Sequence, residues 1–182
     1  WALRVDRTAP VVAVLMSAVC LFPVRSRIHP KVELAALRPA MVYLSNHSPE
    51  GSLVFIDDWD IFPVCFYYNT HNTYGVGLDP MFTISRYPEL WERYRLITRG
   101  KTPAELGPPF NVLEKRPVTV DDIGAVFHSQ YVLVTERHSG FYRQLREQAD
   151  RFKLIYPEAM DDTTQAQPAI AMFEVLPHES LP

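Results

Sequence analysis

Residues 53–78 read LVFIDDWDIFPVCFYYNTHNTYGVGL, and the order of residue types in this stretch decides the fold. Leu53-Val54-Phe55-Ile56 is a short unbroken apolar run, as in a strand covered on both faces. Aspartates follow at 57, 58 and 60. Ile61 to Tyr68 then reads as a helix opened by Asp60, with Pro63 in its first turn, where a missing N–H costs little. A polar turn over 69–72 leads to a second strand from Thr73 to Leu78. Strand, helix and strand in that order imply two parallel strands joined by a crossover.

Upstream, Lys31 to Asn46 sets Val32, Leu34, Ala35, Leu37, Ala40, Met41 and Leu44 on a helical period, with Pro39 implying a kink or a break. Ser48-Pro49-Glu50-Gly51 is a turn. Downstream, Pro88 to Thr98 is a helix with Leu90, Trp91, Tyr94 and Ile97 on one side. Lys101 to Pro117 is a proline-rich connection. Val120 to Phe127 is a short helix with Asp121 and Asp122 in its first turn. Tyr131-Val132-Leu133-Val134 is a buried strand, and Gly140 to Arg151 a helix. Phe152–Tyr156 and Ala169–Val175 alternate as strands across a turn-rich segment, which predicts an antiparallel hairpin. The expected class is therefore α/β: a Rossmann-like open sheet, mostly parallel, closing with a C-terminal antiparallel hairpin.

The N-terminal part differs in kind. Thr8 to Val24 (TAPVVAVLMSAVCLFPV) is 17 residues without a charge, flanked by Arg4, Arg7, Arg25 and Arg27. As a helix it spans about 25 Å, just short of a ~30 Å hydrocarbon core that snorkelling arginines can bridge. It is read as a transmembrane helix, with a buried core helix and a signal peptide as the competing readings. Residues 1–27 thus form the helix and its flanks, and residues 28–182 a soluble α/β domain. Because the chain begins at Trp1 rather than Met, residues 1–27 are expected to end a longer membrane region.

Composition narrows the function. The whole chain of 182 residues carries 18 basic and 21 acidic side chains, a net charge of −3. Residues 1–27 hold four of the basic groups and one acid, so the remainder has 14 basic and 20 acidic, a net −6. Such a domain is no partner for nucleic acid. Its two cysteines make neither a disulfide framework nor a zinc pattern.

Chemistry concentrates between Asp57 and Pro80. Asp57, Asp58 and Asp60 follow a strand, where open α/β sheets bind ligands beyond the strands' carboxyl ends. Asp58 and Asp60 are candidate oxygen ligands for a divalent cation such as Mg²⁺ or Ca²⁺; the alternative is that one caps the next helix and the others are solvated or paired with arginines. Trp59, Phe62, Phe66, Tyr67, Tyr68 and Tyr74 offer a stacking surface for a sugar, with core packing against the sheet as the competing reading. Asn69, His71, Asn72 and Asp79 add donors and acceptors. Gly75-Val76-Gly77 continues to Pro80 instead of a third glycine, so no dinucleotide loop forms, and no serine stands in a nucleophile elbow. Cys65 lies between Val64 and Phe66 and reads as a buried thiol.

The runs Asp58-Trp59-Asp60-Ile61-Phe62-Pro63, Tyr68-Asn69-Thr70-His71-Asn72-Thr73-Tyr74 and Gly77-Leu78-Asp79-Pro80 form one motif. Further matches are Ile97-Thr98-Arg99-Gly100, Tyr131 to Val134 before His138, and the closing strands. Together they resemble the C-terminal extramembrane domain of a group of bacterial polytopic membrane proteins similar to class C glycosyltransferases. Met81, Thr135 and the segment Lys101–Pro117 depart from that pattern. In such enzymes the catalytic acid lies in an early extramembrane loop and the polyprenyl-linked donor binds among membrane helices, neither of which this stretch contains. The resemblance therefore implies an accessory periplasmic domain at a bacterial inner membrane, acting on a saccharide or lipid-linked sugar, without catalytic residues or a resident cofactor. Two alternatives stand beside it: a self-contained membrane-anchored enzyme with a metal–carboxylate site, and a simple carbohydrate- or partner-binding domain.

Overall fold

The computed structural model describes residues 34–77, 80–100, 118–158 and 166–177, together with Pro10 and Met16. The chain divides into two compact units, Trp1–Lys31 and Val32–Pro182, and the architecture below belongs to the second. The stretch 8–24, apart from Pro10 and Met16, lies outside the described residues, as does the connection 101–117. Among the described residues no helix is long and apolar enough to cross a membrane.

Helix α1 (Leu34–His47) runs through Pro39 as one element. Strand β1 (Leu53–Ile56) follows the turn at Gly51, then a 3₁₀ turn (Trp59–Ile61) runs directly into α2 (Phe62–Tyr68), whose proline sits in its first turn as expected. Strand β2 is Thr73–Tyr74, shorter than the sequence suggests. Glycines at 75 and 77 weaken a strand there, although the Gly75 N–H still donates to the Val54 carbonyl at 3.1 Å. Helix α3 (Pro80–Arg86), which has no buried residue, is an element the periodicity did not announce. Then come α4 (Pro88–Arg99), α5 (Asp122–Ala125), β3 (Tyr131–Thr135), a 3₁₀ turn (Glu136–His138), α6 (Ser139–Glu147), β4 (Phe152–Tyr156) and β5 (Ile170–Val175).

The strands form one sheet in the order β2-β1-β3-β5-β4. β1 runs parallel to β2 and to β3, whereas β5 is antiparallel to both β3 and β4. The sheet is therefore mixed, parallel at one end and antiparallel at the other, rather than mostly parallel. The last strand returns between β3 and β4 instead of adding at the edge.

Strand alternation builds two cores. Phe55, Val132, Val134, Ala171 and Phe173 face α4, α5 and α6. Val54, Ile56, Tyr131, Leu133, Ile170 and Met172 face α1 and α2. Helices on both faces explain why β1 and β3 have no polar residue within their apolar runs. Helix α4 ends on Gly100, which adopts φ 59° and whose Cβ position would fall 2.8 Å from the Gly140 carbonyl carbon. The close approach of two glycine backbones lets α4 and the start of α6 share one layer. Arg93 of α4 ties down α5 through a buried ion pair with Asp122 at 3.1 Å.

Candidate functional site

Beyond the carboxyl ends of β1 and β3 the chain leaves in opposite directions. β1 leads through α2 to β2 on one side, and β3 leads through α6 to β4 on the other. In open α/β sheets this divergence opens a crevice between neighbouring parallel strands. Asp57, Asp58, Asp60, Thr135, Arg137 and His138 meet there.

Asp57 is the first residue past β1. Its N–H continues the ladder to the Leu133 carbonyl at 3.2 Å. Its carboxylate Oδ2 accepts from the Thr135 N–H at 2.6 Å and the Thr135 hydroxyl at 2.8 Å, and lies 2.8 Å from His138 Nδ1. A carboxylate only accepts, so Nδ1 carries the proton and Nε2 is the other face of the ring. Burial pulls the His138 imidazole down, but the hydrogen bond and charge of Asp57, with the charge of Asp58, outweigh it and leave its pKa raised. Asp57 Oδ1 is buried with no hydrogen-bond partner among the described residues.

Arg137 makes the second half. Its guanidinium donates from one nitrogen to Asp58 Oδ2 at 2.9 Å and to both oxygens of Asp60 at 3.1 and 2.9 Å. Asp58 also caps the 3₁₀ turn, accepting from the Asp60 N–H at 3.5 Å. Both carboxylates are thus paired by the arginine, and a divalent cation between them would have to displace it. Among the described residues no group of three or more histidines, cysteines, aspartates or glutamates is arranged to hold a metal ion. Trp59 lies exposed between the two aspartates in sequence. From α4, the buried Tyr94 hydroxyl has no hydrogen-bond partner among the described residues, and burial, then the charges of Asp57, Asp58 and Asp60, push its pKa well up.

Asn69, His71 and Asn72 belong elsewhere. They precede β2, whose Thr73 is level with Leu53 at the start of β1. That is the amino end of the parallel strands, about 13 Å along the strand from Asp57 at ~3.3 Å per residue. Asn69 Oδ1 accepts from the N–H groups of His71 and Asn72, and its Nδ2 donates to Asn72 Oδ1 at 2.7 Å. Asn72 Nδ2 donates to Ser48 Oγ at 2.8 Å, and His71 Nε2 donates to the Ser48 carbonyl at 2.9 Å. These side chains clamp the turn after α1 onto the start of β2. Asp79 lies outside the described residues.

The candidates therefore separate into Asp57, Asp58, Trp59 and Asp60 at the crevice and Asn69, His71 and Asn72 at the opposite end. The crevice also holds Tyr94, Thr135, Arg137 and His138, which the sequence reading did not select. The rule that points to Asp57 applies equally to β3, since Thr135-Glu136-Arg137-His138 is the polar run beyond a second buried strand. Cys65 is buried, and burial together with the Asp57 charge pushes its thiol to about 12, so no thiolate forms at neutral pH.

Comparison with protein-family models, with curated proteins and with solved structures gives no match.

Proposed function

We propose that residues 28–182 act as an accessory, non-catalytic domain of a glycosyltransferase-like membrane protein, held on the periplasmic side of a bacterial inner membrane, where it positions a saccharide acceptor or the sugar of a lipid-linked donor. One observation carries this reading: Asp58, Asp60, Arg137 and His138 converge beyond the ends of β1 and β3, beside exposed Trp59. Carboxylates fixed by an arginine are preorganised acceptors for sugar hydroxyls, the guanidinium and imidazole add donors, and an indole face suits the C–H side of a pyranose ring. The motif resemblance over residues 58–80 supports the membrane setting.

The test is titration calorimetry of the full chain in nanodiscs with a panel of oligosaccharides and a short-chain polyprenyl-phosphate sugar. Binding that is lost in Trp59→Ala and Arg137→Ala supports the reading. Absence of heat with every ligand, or binding indifferent to both substitutions, overturns it.

A second reading rests on the Asp57–His138 pair. A buried carboxylate that holds Nδ1 leaves Nε2 to act as a general base, the orienting arrangement used in nucleophilic catalysis. It makes the domain an enzyme through His138 rather than through the metal–carboxylate site that the sequence offered. Turnover of any of the same ligands by the full chain, abolished in His138→Gln, would select it over simple binding.

A further inference from the structure

The crevice has an outer and an inner layer. The outer layer reaches solvent: the side chains of Arg137, His138, Asp58 and Asp60 are 19, 20, 23 and 43% exposed. Further in lie three buried polar atoms with no hydrogen-bond partner among the described residues: Asp57 Oδ1, the Tyr94 hydroxyl and Arg137 Nε. Native interiors leave few such atoms, because each loses its water without recovering a hydrogen bond. Three in one crevice call for a ligand.

The three atoms arrive from three elements. Asp57 stands two residues past Phe55, whose ring packs on Tyr94 at 5.3 Å, so α4 carries the tyrosine alongside the end of β1. Burial first, then the charges of Asp57, Asp58 and Asp60, push the Tyr94 pKa well up. The hydroxyl therefore lies in the field of all three carboxylates and keeps its proton at neutral pH. Arg137 reaches Asp58 and Asp60 from beyond β3. Packing does not require the phenol, since phenylalanine would stack on Phe55 and Trp91 equally well.

The donor and acceptor types select the occupant. A carboxylate oxygen only accepts, a guanidinium Nε only donates, and a phenol does both. Phosphate would meet Arg137 but be repelled by Asp57, and an ammonium group would meet Asp57 but be repelled by Arg137. A neutral hydroxyl satisfies both sides. We infer that Asp57, Tyr94 and Arg137 form an inner subsite for one hydroxyl group of the saccharide, which donates to Asp57 Oδ1 and accepts from Tyr94 or Arg137 Nε. Entry needs a rotation of the partly exposed Arg137 side chain and no movement of the sheet. The inference rests on the saccharide reading above and deepens it: Trp59 offers a face to the ring, and the inner subsite selects which hydroxyl the ring must carry.

The experiment is titration calorimetry of the full chain in nanodiscs with the methyl glycosides of glucose, galactose and mannose and their monodeoxy analogues. Removing the recognised hydroxyl should weaken binding about tenfold or more, and Tyr94→Phe should weaken binding of the intact sugar by a similar factor. The analogue lacking that hydroxyl should bind Tyr94→Phe and the parent protein alike. Full affinity in Tyr94→Phe, or a penalty equal for the sugar and all its deoxy analogues, overturns the inference and leaves the saccharide reading intact. No binding of any of these sugars also overturns it, and the oligosaccharide panel then decides the broader reading by itself. Melting of the unliganded protein is the second readout. Tyr94→Phe keeps the ring in place and removes an unpaired hydroxyl, so the variant should melt no lower than the parent protein. A clearly lower melting temperature overturns the inference, because the hydroxyl then has a partner within the protein.

Discussion

At the scale of single residues, three carboxylates in the crevice share one arginine and one histidine. Arg137 lies between Asp58 and Asp60, which would otherwise repel each other, and its guanidinium takes the position that a cation shared by the two carboxylates would need. Arg137→Ala should therefore convert the site: Mg²⁺ or Ca²⁺ at millimolar concentration raises the melting temperature of the variant and leaves that of the parent protein unchanged, since specific binding stabilises the folded state. A parent protein that responds to the metal would show that Arg137 yields to it. Asp57 holds three donors with one buried oxygen, so Asp57→Ala should cost about 3 kcal/mol in urea denaturation by leaving buried donors without an acceptor. The His138 pair also has a definite pH signature. Its pKa is raised on folding, so its contribution is complete below the ordinary value of 6.5 and is lost as pH rises through the higher folded value. Stability of the parent minus that of His138→Gln should fall across that interval; a difference that grows with pH would reverse the assignment. The acids themselves were legible in the sequence because they end an apolar run. Their partners at 135, 137 and 138 were not, because the pairing spans about eighty residues and depends on the β1–β3 register.

At the scale of elements, the apolar pattern identified, among the described residues, the helices with a wide apolar face and the strands longer than two residues. What it missed has physical causes. Helix α3 buries none of its residues, so it has no apolar stripe facing a core and no period to read. β2 stops at Tyr74 because pairing with β1 ends there and glycines follow. The join between α4 and α6 was equally invisible, since it depends on two glycines 40 positions apart meeting backbone to backbone. That join gives a controlled comparison. Gly51 and Gly100 both adopt positive φ, at 77° and 59°, but a Cβ at Gly51 meets nothing within 4 Å. Gly51→Ala should cost about 1 kcal/mol, the price of the left-handed conformation alone. Gly100→Ala adds a collision with the backbone of Gly140 and Phe141, and should cost about 2–4 kcal/mol while moving α6 away from α4. Equal losses in thermal or urea unfolding would mean that α4 and α6 are not held by this contact.

At the scale of the whole molecule, the order of the last strands decides how the domain is held together. The hairpin pattern makes β4 and β5 neighbours but leaves open which of them meets β3. Burial distinguishes them. β4 carries exposed Lys153 near its start, a device that protects edge strands, whereas Ile170, Ala171, Met172 and Phe173 of β5 are all buried and feed both cores. The strand with four consecutive buried apolar residues takes the central position between β3 and β4. β5 also fixes the crevice, because Thr135 is level with Ile170 and the Glu136 N–H donates to the Ala169 carbonyl at 3.0 Å. Arg137 and His138 therefore leave the sheet from a point that the final strand secures on one side and Asp57 on the other. A chain ending before Ile170 should lose more than an edge. Burial of each large side chain of β5 contributes about 1.5–3 kcal/mol, and together they rival the entire stability of an ordinary domain, about 5–15 kcal/mol. Circular dichroism of that truncated chain should show no cooperative melting. A chain lacking β5 that still unfolds cooperatively and binds the same ligands would mean that the parallel strands β2, β1 and β3 form the site unaided.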